Sequence, residues 1–131
     1  MRPSVMFLLL ILLLSFTQNS RAQTTDSAET RYWKFITEKS MVDFFYRIAD
    51  CENSKQLYLR VKNDFPKERT ISFTVEITAP EKINKKISID AAPVAILEPD
   101  CNNRDKNKIL RIDLPPKFDV SALEVKINMH E

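Results

Sequence analysis

Between Thr70 and Thr78 every second residue is a large apolar one, Ile71, Phe73, Val75 and Ile77, and every residue between them is polar. A helix would scatter these four side chains around its circumference, whereas a strand puts all of them on one face. The same period of two recurs along most of the chain, so the fold open to it is one of strands with a dry side and a wet side. Val42, Phe44, Tyr46 and Ile48 share one side of a segment. Leu57, Leu59 and Val61 share one side of the next, with Gln56, Arg60 and Lys62 opposite. Leu110, Ile112 and Leu114, then Leu123, Val125, Ile127 and Met129, repeat the pattern near the C-terminus. Weaker strands are expected around Ile87–Ile89 and Val94–Leu97 and a first one around Tyr32–Ile36, about eight in all. Short strands at this spacing, with no sustained helical period, predict an all-β fold: an immunoglobulin-like antiparallel β-sandwich of about 7–8 strands.

The chain has no glycine. Positive φ in its turns is therefore expected to fall to Asn and Asp, the next most tolerant residues. Asn53, Asn63-Asp64, Asn84, Asn102-Asn103 and Asn107 all lie between strand candidates, and Pro66, Pro80, Pro93, Pro99 and Pro115-Pro116 interrupt or end them. Without glycine there is also no glycine-rich phosphate loop, no nucleophile elbow and no dinucleotide fingerprint.

The N-terminus has a different character. Arg2, the apolar run Phe7–Phe16 and Ser20-Arg21-Ala22 have the layout of a secretory signal peptide over residues 1–22, with cleavage expected before Gln23. The apolar core is shorter than the roughly 20 residues a spanning helix needs, so no stable membrane insertion is expected after cleavage. Residues 23–30 are polar and read as a disordered lead, leaving 31–131 as a single domain in a secreted or periplasmic protein. Loss of Arg2 and Arg21 would bring the 20 basic residues level with the 18 acidic ones. A neutral domain lacks the field that draws nucleic acid, so no nucleic-acid partner is expected.

Two cysteines, Cys51 and Cys101, are present. In an exported chain an isolated pair is expected to form a disulfide, and closing a loop of this length removes unfolded-state entropy worth about 4 kcal/mol.

The hairpin joining the second and third strands has two registers that keep both apolar sets on one face. One sets Arg47 against Arg60. The other sets Phe45 against Arg60 and Arg47 against Tyr58, which avoids like-charge repulsion and gains cation–π contact, and it is the register expected. It places Phe45 and Tyr58 on the outer face near Trp33. Trp33, Phe45, Tyr58, Arg47 and Arg60 thus form a candidate binding surface for a protein or a sugar ring.

Catalytic chemistry lacks its residues. His130 is the sole histidine and lies next to the C-terminus, where a frayed base would serve a serine or cysteine nucleophile poorly. A zinc site would have too few ligands. The loop Glu98–Asp105 gathers oxygen donors, but Arg104 and the lysines Lys106 and Lys108 oppose a calcium ion there. No metal, no cofactor and no catalytic residue are expected. Lys82, Lys85 and Lys86 read as a basic, solvated turn.

The segment Val42-Asp-Phe-Phe-Tyr-Arg-Ile-Ala-Asp-Cys51, followed by Leu57-Tyr-Leu-Arg-Val-Lys-Asn63, resembles small exported proteins of the Bacteroidetes group. Those proteins show an aromatic "FYYR" strand, a cysteine turn and then "LKxxN". The chain departs from them at Ser40-Met41, where a glycine often stands. The resemblance implies an exported β-sandwich domain and carries over no functional residue. The expected function is an exported non-catalytic binding or protein-interaction module with a protein or glycan partner in the cell envelope. A carbohydrate-binding domain using exposed aromatics is the alternative, and a small hydrolase a more distant one.

Overall fold

The computed structural model describes residues 32–102 and 104–130; the expected signal peptide and polar lead lie outside the described residues. Eight strands follow one another: β1 (Lys34–Lys39), β2 (Val42–Cys51), β3 (Ser54–Asn63), β4 (Arg69–Thr78), β5 (Lys82–Ala91), β6 (Ile96–Leu97), β7 (Arg111–Asp113) and β8 (Glu124–His130). They form two antiparallel sheets. The larger, sheet A, runs β1-β2-β3-β6 with β7 also paired to β3, and sheet B runs β5-β4-β8. Two short 3-10 turns, Lys108–Leu110 and Val120–Ala122, are the only helical pieces among the described residues, and none is long and apolar enough to cross a membrane.

The chain crosses between sheets after β3, after β5 and again after β7, so that β6 and β7 return beside β3 and β8 returns beside β4. This interlocking of the central strands is the Greek-key arrangement of an immunoglobulin-like sandwich. The alternation dictates what fills it. Val42 and Phe44 of β2, Leu57, Leu59 and Val61 of β3, and Ile71, Phe73, Val75 and Ile77 of β4 are all fully buried. Phe44 and Phe73 meet edge to face across the two sheets with ring centroids 4.9 Å apart. Ile87 of β5, Ile112 of β7 and Ile127 of β8 close the same cluster.

Two lysines fasten the margins of the sandwich. Lys39 of β1 donates from Nζ to the carbonyl of Ile127 in β8 at 2.9 Å. On the opposite margin Lys85 of β5 donates to the carbonyl of Arg111 in β7 at 3.1 Å. Both bonds run between edge strands of different sheets, and they occupy carbonyls that would otherwise be open to pairing with another chain. β1 is irregular as well, with a bulge at Ile36 between the Phe35↔Phe45 and Thr37↔Phe44 pairs.

Several expectations are corrected. Lys82, Lys85 and Lys86 lie within β5, a ten-residue strand paired with β4 from end to end, and the turn before it is Ala79–Glu81. Ile83, Ile87 and Ile89 set the strand's inward face, and the pairing partner β4 supplies the hydrogen bonds that override the basic composition. The strand expected over Val94–Leu97 shrinks to Ile96–Leu97, because Val94 has positive φ. Among the described residues the left-handed positions are Ser40, Met41, Glu52, Asn53 and Val94, only one of them an Asn. The pairs Ser40-Met41 and Glu52-Asn53 close two-residue hairpins whose twist demands positive φ at both places, whatever residue stands there.

Asn63 instead works at the end of β3. Fully buried, it donates from Nδ2 to the carbonyls of Ala92 and Lys67 at 2.9 and 3.3 Å and accepts the Phe65 amide on Oδ1 at 3.2 Å. One side chain thereby fixes the crossover from β3 to β4 and the exit from β5.

Candidate functional site

β2 and β3 pair with Phe45 opposite Arg60 and Arg47 opposite Tyr58, the register expected from the charges. β1 adds Phe35 opposite Phe45, and β7 adds Arg111 opposite Tyr58. On the outer face of sheet A these pairings make two neighbouring rows: Trp33, Arg47, Tyr58 and Arg111, then Phe35, Phe45, Arg60 and Glu98. The residues between them along each strand point into the core.

The rings and guanidiniums of this face are interleaved. Arg60 lies 4.5 Å from the Trp33 ring centre and 5.8 Å from that of Phe45. Arg47 lies 5.1 Å from Trp33 and 5.4 Å from Tyr58. Arg60 Nε donates to Glu98 at 2.7 Å, whereas Arg47 has no carboxylate partner among the described residues. Phe35 meets Phe45 edge to face at 5.5 Å and is 59% exposed. Tyr58 stands on this face yet is only 1% exposed, so its ring is closed to any ligand. Of the residues singled out in the sequence, Trp33, Phe45, Arg47 and Arg60 are gathered at one partly open surface and Tyr58 forms its floor. Phe35 was missed, although its two-residue offset from Trp33 on a strand was the signal that could have found it.

The disulfide forms between Cys51, at the end of β2, and Cys101, in the β6–β7 loop, with Cα atoms 5.6 Å apart. Unlike the inter-sheet bridge of antibody domains, it ties a loop to the rim of sheet A. That loop is self-capped. Asp105 accepts the amides of Asp100 and Asn107 at 2.9 Å each, and Asn102 Oδ1 accepts the Arg104 amide at 3.0 Å. Of the oxygen donors in this loop, those of Asp105 and Asn102 are thus engaged by backbone N–H groups, and Glu98 is engaged by Arg60. Among the described residues no group of three or more His, Cys, Asp or Glu is placed to hold a metal.

The opposite outer face, that of sheet B, has another character. Thr70 donates to Asp90 at 2.6 Å, Ser72 and Ser88 share a hydrogen bond at 2.9 Å, and Thr74 bonds to His130 Nε2 at 2.6 Å. His130 is therefore not frayed but lies in β8, tied to the neighbouring strand. These hydroxyls are satisfied by their neighbours, and the rest of the face is charged or amide-bearing, with Glu76 paired to Lys82 at 3.1 Å.

Among known proteins, no family model, no curated protein and no solved structure matches this chain.

Proposed function

We propose that the chain is an exported, non-catalytic binding module that docks a protein partner on the outer face of sheet A, through Trp33, Phe35, Phe45, Arg47 and Arg60. The observation that carries the reading is the asymmetry between the two outer faces. Sheet B presents hydroxyls paired with their neighbours beside lysine, glutamate and asparagine side chains, whereas sheet A presents aromatic rings and guanidiniums, the residue types that dominate binding energy at protein interfaces. Arg47, charged and without a carboxylate partner among the described residues, favours a partner that offers acidic side chains beside apolar ones. A sugar ring would stack on open, coplanar rings. Tyr58 is closed and Phe35 and Phe45 meet at 68°, so a protein surface is the better fit. Export rests on the signal-like N-terminus, and the disulfide agrees with an oxidising compartment.

The test is affinity recovery of the tagged chain from its own cell envelope, beside a Phe35→Ser/Arg47→Glu variant of the same chain. A protein recovered in stoichiometric amount with the first and lost with the second supports the reading. Recovery of no protein, or of the same proteins by both, overturns it.

A further inference from the structure

At the end of sheet A that carries the β2–β3 hairpin, a second feature adjoins the aromatic face at Arg111. An open cleft of about 820 Å³ is bounded by Glu52, Ser54 and Gln56 of the hairpin, Lys108 of the 3-10 turn, Arg111 of β7 and Lys85 of β5. Arg111 is only 7% exposed. Its Nη1 donates to the Cys51 sulfur at 3.3 Å, its Nε has no hydrogen-bond partner, and no carboxylate pairs with it among the described residues. Gln56 is buried to the same degree. Its Nε2 donates to Asp113 at 2.8 Å, and its Oε1 has no partner.

A guanidinium withdrawn from water and met only by a thioether-like sulfur is an expensive arrangement, since sulfur is a weak acceptor and burial without a counter-charge costs several kcal/mol. Three cations, Lys85 from β5 and Lys108 and Arg111 from the turn that leads into β7, line this cleft against Glu52 and Asp113, and Asp113 already has an oxygen committed to Gln56. Lys85 occupies an inward-facing position of an edge strand and reaches across the margin to this place.

We infer that the cleft binds the oxyanion end of a small ligand, a carboxylate or phosphate group, held by Arg111 between Lys85 and Lys108. The geometry suits this class because an arginine fork matches carboxylate and phosphate oxygens, while lysine supplies point charge from either side. Burial holds the Lys85 amine below its ordinary value of 10.5, with Asp113 partly offsetting it. The inference is independent of the protein partner proposed for the aromatic face.

The experiment follows the Arg111 Nε–H resonance in the full chain while inorganic phosphate, and separately citrate, is titrated at constant ionic strength against sodium chloride. The expected result is a resonance that moves and saturates with at least one of the two oxyanions. Binding should be weaker by about tenfold or more in the Lys108→Gln variant, whose side chain is on the exposed rim and outside the core. Saturation by citrate alone assigns a carboxylate ligand, and by phosphate alone a phosphorylated one. A shift no larger than that produced by chloride means that water alone fills the cleft, and saturation unchanged in both Lys108→Gln and Lys85→Gln means that the oxyanion is held without these lysines; either result overturns the inference.

Discussion

Arg111 and Cys51 are joined by a hydrogen bond from the guanidinium Nη1 to the disulfide sulfur at 3.3 Å, so the bridge that pins the β6–β7 loop also seats the most deeply buried charge of the domain. Sequence places the two residues in different segments, and only the short pairing of β7 with β3 brings them together. Loop, disulfide and cleft are therefore one mechanical unit.

Replacing both Cys51 and Cys101 with alanine should lower stability by about 4 kcal/mol, because the cross-link spans 50 residues and its removal releases the unfolded chain. Urea denaturation of the two proteins reads this directly. A midpoint unchanged within error would show that the bridge does not constrain the unfolded chain as described.

Asn63→Ala should cost about 2 to 3 kcal/mol, since it removes the three hydrogen bonds that this fully buried side chain makes to the Lys67 and Ala92 carbonyls and the Phe65 amide. Hydrogen exchange is the sharper measurement. Protection should fall first at Phe65 and Val94, whose amides belong to the two loops that Asn63 holds together. Loss confined to the β4–β8 pairs would contradict this role.

Phe73→Ala should destabilise the domain by about 3 to 5 kcal/mol by opening a cavity between the sheets. Its edge-to-face contact with Phe44 adds a coupling of about 0.5 to 1.5 kcal/mol, measurable in a double-mutant cycle. A coupling of zero would mean that the two rings contribute area only.

The Lys85 amine gives a dependence on pH. Burial lowers its folded value beneath 10.5, so in the interval between that lowered value and 10.5 the unfolded chain holds more protons than the folded one. Stability must then rise with pH across that interval, and below it the cost of burying the charged amine is fully present. Lys85→Gln should remove this upward slope in denaturation curves taken at alkaline pH. A slope that persists unchanged in the variant would assign it to another group.

How far these features are legible in the sequence depends on whether they are local. The core faces of β2, β3 and β4 follow from period two alone, and the β2–β3 register from the charges of Arg47 and Arg60, because both are fixed by neighbours on one hairpin. Only the Ile87–Ile89 part of β5 is legible as a strand, because Lys82, Lys85 and Lys86 make its first half loop-like in composition, and it is pairing with β4 that makes all ten residues a strand. The positive φ of Met41 and Val94 could not be read from residue type, since the hairpin and loop geometry imposes it on residues that do not favour it. Phe35 stands ahead of the bulge at Ile36, so its place on the face of Trp33 is legible in their two-residue offset. The cleft around Arg111 draws on β3, β5, β7 and the disulfide, and a site assembled from four separate segments leaves no local pattern in the chain.

The central claim is that the aromatic and arginine face of sheet A is the working surface. A photo-crosslinking residue placed at Phe35, and in a second protein at Ser88 on the hydroxylated face of sheet B, compares the two surfaces inside the cell. The account predicts a discrete protein adduct from position 35 and none from position 88. Equal adducts from both positions, or an adduct from position 88 alone, would contradict it.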